Sequence, residues 1–396
     1  SSAASGSQGR QTLRFPRLGP MSDPQAGKGG TYYVPFPVLA LASDGRDIFL
    51  SAGGGGSTAN KEVPNVVHAF RYDEVTGKLN TVAALNTEKA LVVHLSYSPM
   101  ADLWLASART GCKILRLNAP ENTLTQVCDW PSEESGKEPE QNFAKFSPDA
   151  KLIVTGGTDG QVKLWKVETP PAVPLLHRKC GAKTREILDA DFSSDSKFIA
   201  ACDETGDCRL WEVDKEEPED GLKIQYNSKH ITKGKALVKL VRFMPTANGK
   251  WRLVMCANGA RGPALVGMFS EDGTKLAEVM ADKQPLKSIS TDVENQRILV
   301  GLMSGAKVVY AYPGLTVIKK TRELHSLPAQ GVAFVGAATA ISGSGDRDLH
   351  LLKLAGSSGY WLCYAVMFLL MLLIAGGIVV RIGAKGAALG QGQGEL

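Results

Sequence analysis

Side chains whose types and spacing could do chemistry are scarce in this chain. The most conspicuous chemical stretch carries almost none. SAGGGGSTANKEVPN (51–65) sets Gly53, Gly54, Gly55 and Gly56 in succession, then Ser57, Thr58, Asn60, Lys61, Glu62, Val63, Pro64 and Asn65. Consecutive glycines let main-chain carbonyls and amides converge on one point, as an ion site built from backbone requires. They also let another backbone approach closely. Asn60 and Asn65 add amide oxygens, and Val63 with Pro64 forms an apolar tip. The stretch is not a phosphate-binding loop, because Lys61 follows Asn60 rather than Gly and precedes Glu62. A flexible surface loop is the plain alternative.

No other constellation competes with it. The chain lacks a GxGxxG signature, an HExxH pair and a GxSxG elbow. Its six histidines (68, 94, 177, 230, 325 and 350) do not cluster in sequence. Seven cysteines (112, 128, 180, 202, 208, 256 and 363) form no CxxC pair, and an odd count suits neither a disulfide framework nor a zinc site. They read as buried thiols in a reducing compartment. The net charge is +5 with no dense basic cluster, so no nucleic-acid partner is expected.

The elements that position the glycines repeat. FAKFSPDAKLIVTGGTDGQVKLWKV (143–167) and ADFSSDSKFIAACDETGDCRLWEV (190–213) both read as strand, polar turn, strand, tight turn, strand. TDG (158–160) and ETG (204–206) are hairpin turns in which Gly supplies positive φ. Trp165 and Trp211 take the same place in the third strand. Weaker copies lie at 38–72, 91–117, 237–269, 286–312 and 331–354. Seven copies, spaced by some 40–45 residues with four short strands each, predict an all-β, seven-bladed β-propeller over 31–355. This resembles WD-repeat proteins, although Lys and Glu follow Trp165 and Trp211 where the repeat has Asp. His325 falls where such repeats place a histidine, and a hydrogen-bonded loop residue is its plain reading. In the first copy, Gly53–Gly56 end the second strand, and about ten residues (Gly55 to Pro64) are inserted before the third. Insertions in one blade project from one rim, where binding loops sit.

The two ends differ from the middle. Residues 1–30 are rich in Ser, Gly, Pro and Gln without an apolar run, so a disordered segment is expected. YWLCYAVMFLLMLLIAGGIVV (360–380) has 21 residues and no charge. At 1.5 Å per residue it spans roughly 31 Å, the thickness of a bilayer core. A single transmembrane helix is expected there, followed by a short tail, 381–396. No apolar signal segment precedes the repeats and the cysteines look unpaired, so the propeller is placed in the cytosol and the tail across the membrane.

The ordered combination resembles one family: the guanine-nucleotide exchange factors of the endoplasmic reticulum that start COPII coat assembly, the prolactin regulatory element-binding protein family. The residues that carry the resemblance are VPFPVLAL (34–41), AGGGG (52–56), the loop ending Val63-Pro64-Asn65, GGTDGQVKLWKV (156–167), HSLPAQGVAF (325–334), LHLLKL (349–354) and the single apolar span. The resemblance implies a partner, a Sar-type small GTPase, and a regulator that makes no bond of its own. It implies that Gly53–Asn65 press on the GTPase near its switch regions and loosen Mg²⁺ and GDP, with Val63 as an apolar wedge. It implies a potassium ion held by carbonyls around Gly56, Ser57, Thr58 and Asn60, since neutral oxygens suit a large, weakly hydrated cation. Glu62 stands where the family pattern has glycine, and would either repel an acidic partner surface or pair with a lysine on it. A membrane-anchored WD-repeat scaffold without exchange activity is the alternative.

Overall fold

The computed structural model describes residues 23–354, except 60–62, 110, 133–139, 169–171, 181–184, 216–220, 232–233, 261 and 323. The expected membrane span (360–380) and tail (381–396) lie outside the described residues. Among the described residues no helix is long and apolar enough to cross a membrane.

Seven antiparallel sheets follow one another along the chain. The first blade consists of Val38–Ser43, Ile48–Gly53, Asn65–Asp73 and Lys78–Glu88. Blades two to six repeat this four-stranded meander. The seventh, Ala329–Val335, Thr339–Ser344 and Asp348–Lys353, borrows its outer strands from the other end of the chain. Thr31–Tyr33 pairs with it, Tyr32 opposite Leu349, and Gln25–Ala26 pairs with Thr31–Tyr33 in turn. Residues 25–30 therefore belong to the fold, where composition pointed to disorder. Main-chain pairing on a sheet edge needs no apolar side chain, so composition could not reveal it.

The turns show why the repeat folds alike each time. Ser147 and Ser193 each accept from the strand amide five residues on, Leu152 and Phe198, at 2.9 Å. Each hydroxyl also donates to an aspartate two residues on, Asp149 or Asp195. Ala150 (φ +58°) and Ser196 (φ +61°) take the same left-handed position. Gly160 (φ +72°) and Gly206 (φ +81°) supply the positive φ expected of the hairpin turns.

Each blade is apolar on both faces, so the cores lie between blades. Phe36, Phe49, Phe70, Ile341 and Leu349 fill the seam between the seventh and first blades. Ala52, Val67, Leu95 and Trp104 fill the next seam. Around the central channel the inner strands are braced by charge. Asp189 of the fourth blade accepts from Lys145 of the third (3.0 Å), and from Arg242 (2.5 Å) and the Val241 amide (3.0 Å) of the fifth. Asp189 and Lys145 are buried and Arg242 half-buried, and a buried acid between two cations is retained only because its hydrogen bonds are satisfied. The six cysteines among the described residues are buried free thiols, as expected.

Candidate functional site

The glycine stretch lies between the second and third strands of the first blade, in a connection of eleven residues, 54–64. The corresponding connections of the other blades have two to five residues, as at 109–110 and 259–263. The insertion expected from the sequence is therefore present. A short 3₁₀ turn, Gly56–Thr58, begins at the last of the glycines. Ser57 and Thr58 are exposed, while Val63 and Pro64 are half-buried. Asn60 and Glu62, the remaining residues expected in the site, lie outside the described residues with Lys61.

Each glycine has its own reason. Gly53 is still in the sheet, opposite Val38 and Val66, and a Cβ there would overlap the Pro37 carbonyl oxygen. Gly54 has φ +141°, which L side chains rarely adopt. A Cβ on it would overlap the Pro64 carbonyl and stand 2.7 Å from the Asn65 Oδ1. A Cβ on Gly55 would lie 2.7 Å from the Val63 carbonyl oxygen and 2.9 Å from the Ala59 Cα. Gly56 differs: its φ is +63°, but its nearest neighbour would be Leu91 Cδ2 at 3.4 Å. The first three glycines thus permit close approach of backbone, and the fourth permits a left-handed turn. None of this is the geometry of a slack loop.

Hydrogen bonds fold the stretch on itself. The Thr58 amide and hydroxyl both donate to the Gly55 carbonyl, at 3.2 and 2.8 Å. The Ala59 amide donates to the Gly56 carbonyl at 3.1 Å. Asn65, fully buried at the start of the third strand, binds both main-chain groups of Gly56. Its Oδ1 accepts from the Gly56 amide at 2.9 Å, and its Nδ2 donates to the Gly56 carbonyl at 3.1 Å. The same Nδ2 donates to the Glu88 carbonyl at 3.1 Å, tying the stretch to the outer strand of the blade. The Gly56 carbonyl already accepts two hydrogen bonds, so in this conformation it offers a potassium ion no free lone pair. The exposed Ser57 and Thr58 are the described members of the expected ligand set left to offer carbonyl oxygens.

Other singled-out residues are structural. Trp165 donates its indole N–H to Thr155 Oγ1 at 2.8 Å in the third blade. In the fourth blade Ala201 holds the place of Thr155, and the buried Trp211 Nε1 has no hydrogen-bond partner among the described residues. His325 is buried, with Nδ1 bonded to Asp348 and Nε2 to Ser342 Oγ at 2.6 Å. Asp346 lies 3.7 Å from the same Nδ1, so these three residues could be taken for a metal cluster. Both ring nitrogens are already committed to protein partners, which favours a hydrogen-bonded loop histidine. Sequence reasoning missed Pro37, Glu88 and Leu91, which wall the glycine stretch. Their contributions are a carbonyl oxygen, another carbonyl oxygen and a methyl contact, and no residue-type pattern signals them.

Comparison with known proteins agrees with the architecture. The WD domain, G-beta repeat model matches residues 141–166 and 175–212, in the third and fourth blades. The chain is 25% identical over 176 residues to "Guanine nucleotide-exchange factor SEC12" of Rattus norvegicus, and 26% identical over 176 residues to that of Mus musculus. Each match covers 34% of this chain and 42% of the relative, so the chain spans about two fifths of the length of the curated relatives it matches. Fold, repeat and relatives together describe a seven-bladed propeller whose third and fourth blades match the WD repeat and which is similar in part to SEC12.

Proposed function

We propose that this protein is a guanine-nucleotide exchange factor for a Sar-type small GTPase, acting at the endoplasmic-reticulum membrane to start COPII coat assembly. The observation that carries the reading is the eleven-residue glycine connection on the first blade of a propeller similar to SEC12. Exchange of this kind makes no covalent bond. It needs a surface that binds the nucleotide-free GTPase more tightly than the loaded form, so that binding energy displaces the ligand. A stiff loop suits that task, because a loop already ordered loses little entropy on docking. In this reading Gly53–Gly56 shape the loop, and the half-buried Val63 and Pro64 supply the wedge beside the GTPase switch region. In the same reading Ser57, Thr58 and Asn60 would hold a potassium ion, which would add rigidity to the loop. The apolar 360–380 segment anchors the protein, with the propeller in the cytosol and 381–396 in the lumen.

The test is release of fluorescent GDP from a Sar-type GTPase with the full-length protein in detergent, in potassium and then in sodium buffer. Wild type accelerates release, and a variant lacking 55–64 does not, although it folds. Potassium enters the reading if release slows in sodium. Equal release with and without the loop removes the loop from the mechanism. No acceleration by wild type leaves a membrane-anchored scaffold as the better reading.

A further inference from the structure

The buried amide of Asn65 has a role that the loop's composition does not assign. Its side chain meets three main-chain groups: the Gly56 amide (2.9 Å), the Gly56 carbonyl (3.1 Å) and the Glu88 carbonyl (3.1 Å). One acceptor and two donors face one donor and two acceptors, so only an amide in this orientation satisfies all three. The contact exists because Gly54 has no Cβ. A side chain on Gly54 would stand 2.7 Å from the Asn65 Oδ1. The Glu88 end of the clamp is itself held. Glu88 has φ +56° and its amide donates to Asn86 Oδ1 at 2.8 Å. Just beyond it, the Ala90 amide donates to the Thr87 carbonyl at 2.9 Å, and Thr87 Oγ1 donates to the Ala90 carbonyl at 2.7 Å. The loop's 3₁₀ turn is thereby fastened through one side chain to a locked corner of the framework.

We propose that Asn65 is a positioning residue for nucleotide exchange: it orders the glycine loop before the GTPase arrives, from within the protein and without touching the partner. This rests on the exchange reading above. A preordered wedge spends its docking energy on the GTPase rather than on its own folding.

The experiment compares Asn65→Ala and Asn65→Asp with wild type in the full-length protein. It has two readouts, GDP release and amide hydrogen exchange of the 54–59 segment. The clamp predicts that Asn65→Ala slows release at least tenfold. It also predicts at least tenfold faster amide exchange at Gly56, Thr58 and Ala59, with the third to fifth blades unchanged. Asp is the discriminating variant. It matches Asn in shape, so a role in packing alone would rank it above Ala. The clamp ranks it no higher than Ala, because a carboxylate would face two carbonyl oxygens. Release and loop protection at wild-type levels in Asn65→Ala would overturn the proposal, and so would an Asp variant as active as wild type. If wild type itself fails to accelerate release, the exchange reading falls. Loop protection in the two variants then still decides whether Asn65 holds the loop.

Discussion

Replacing Gly53, Gly54 and Gly56 one at a time by alanine separates the reasons for which they are there. At Gly53 the added Cβ meets the Pro37 carbonyl inside a paired sheet, and neither backbone can yield. Overpacking of this kind costs about 1–3 kcal/mol. At Gly54 a similar clash with the Pro64 carbonyl adds to a φ of +141°. Backbone strain there costs a further 1–3 kcal/mol or so, giving about 2–6 kcal/mol in all. A Cβ on Gly56 would meet only Leu91 Cδ2, at 3.4 Å, so its left-handed φ of +63° is the main cost, about 1–2 kcal/mol. Alanine also lowers the entropy of the unfolded chain, which offsets each figure by about 0.4–1 kcal/mol. The expected order is Gly54→Ala worst, Gly53→Ala next and Gly56→Ala close to wild type. A loss of about 4 kcal/mol lowers the melting temperature of a domain this large by about 6 °C. Differential scanning calorimetry reads the order, and GDP release reads its consequence. If the glycines served flexibility, all three substitutions would be mild and alike. A Gly54→Ala protein melting with the Gly56→Ala protein would refute the close-approach argument.

Two further expectations concern the framework. Ala201→Thr should give the buried Trp211 Nε1 the acceptor that Thr155 gives Trp165, beside a cavity of about 20 Å³ lined by Ala201 and Trp211. Against Ala201→Val, which fills the same space without an oxygen, urea unfolding should show a gain of about 0.5–1.5 kcal/mol; no difference would deny the hydrogen bond. Acid should weaken the propeller well before its carboxylates titrate. Burial holds His68 and His350 down to about 4 and His94 to about 3, from an ordinary 6.5, and Lys307 adds to the effect at His350. These folded values lie below the unfolded one, so the unfolded chain binds more protons as pH falls below 6.5. The stability is complete above that value and is lost toward pH 4, by about 2 kcal/mol per histidine at pH 5. A urea midpoint unchanged between pH 7.5 and 5 would contradict this, and His68→Phe should flatten part of the slope.

Much of the architecture was legible in the residues alone, because a propeller is a local pattern repeated. Alternating apolar strands, Ser-x-Asp turns and hairpin glycines each act within a few residues, so seven copies and their strands could be read from spacing. The long connection after Gly53 was equally visible, since one copy was longer than its fellows. What spacing could not reveal lies between distant residues. Tyr32 meets Leu349 across the ring closure, and Asp189 sits between Lys145 and Arg242 of two other blades. The glycine stretch shows the same division. Its composition allowed a slack loop, an ion cage or a close backbone contact, since glycine permits all three. Tertiary structure shows close contact at two of the glycines, bringing Pro37 against Gly53 and Pro64 against Gly54. It also carried the Asn65 amide onto both main-chain groups of Gly56 and onto Glu88, a residue 23 positions away. Composition sets what a backbone is free to do, and only the neighbours that folding assembles determine which of those freedoms is used.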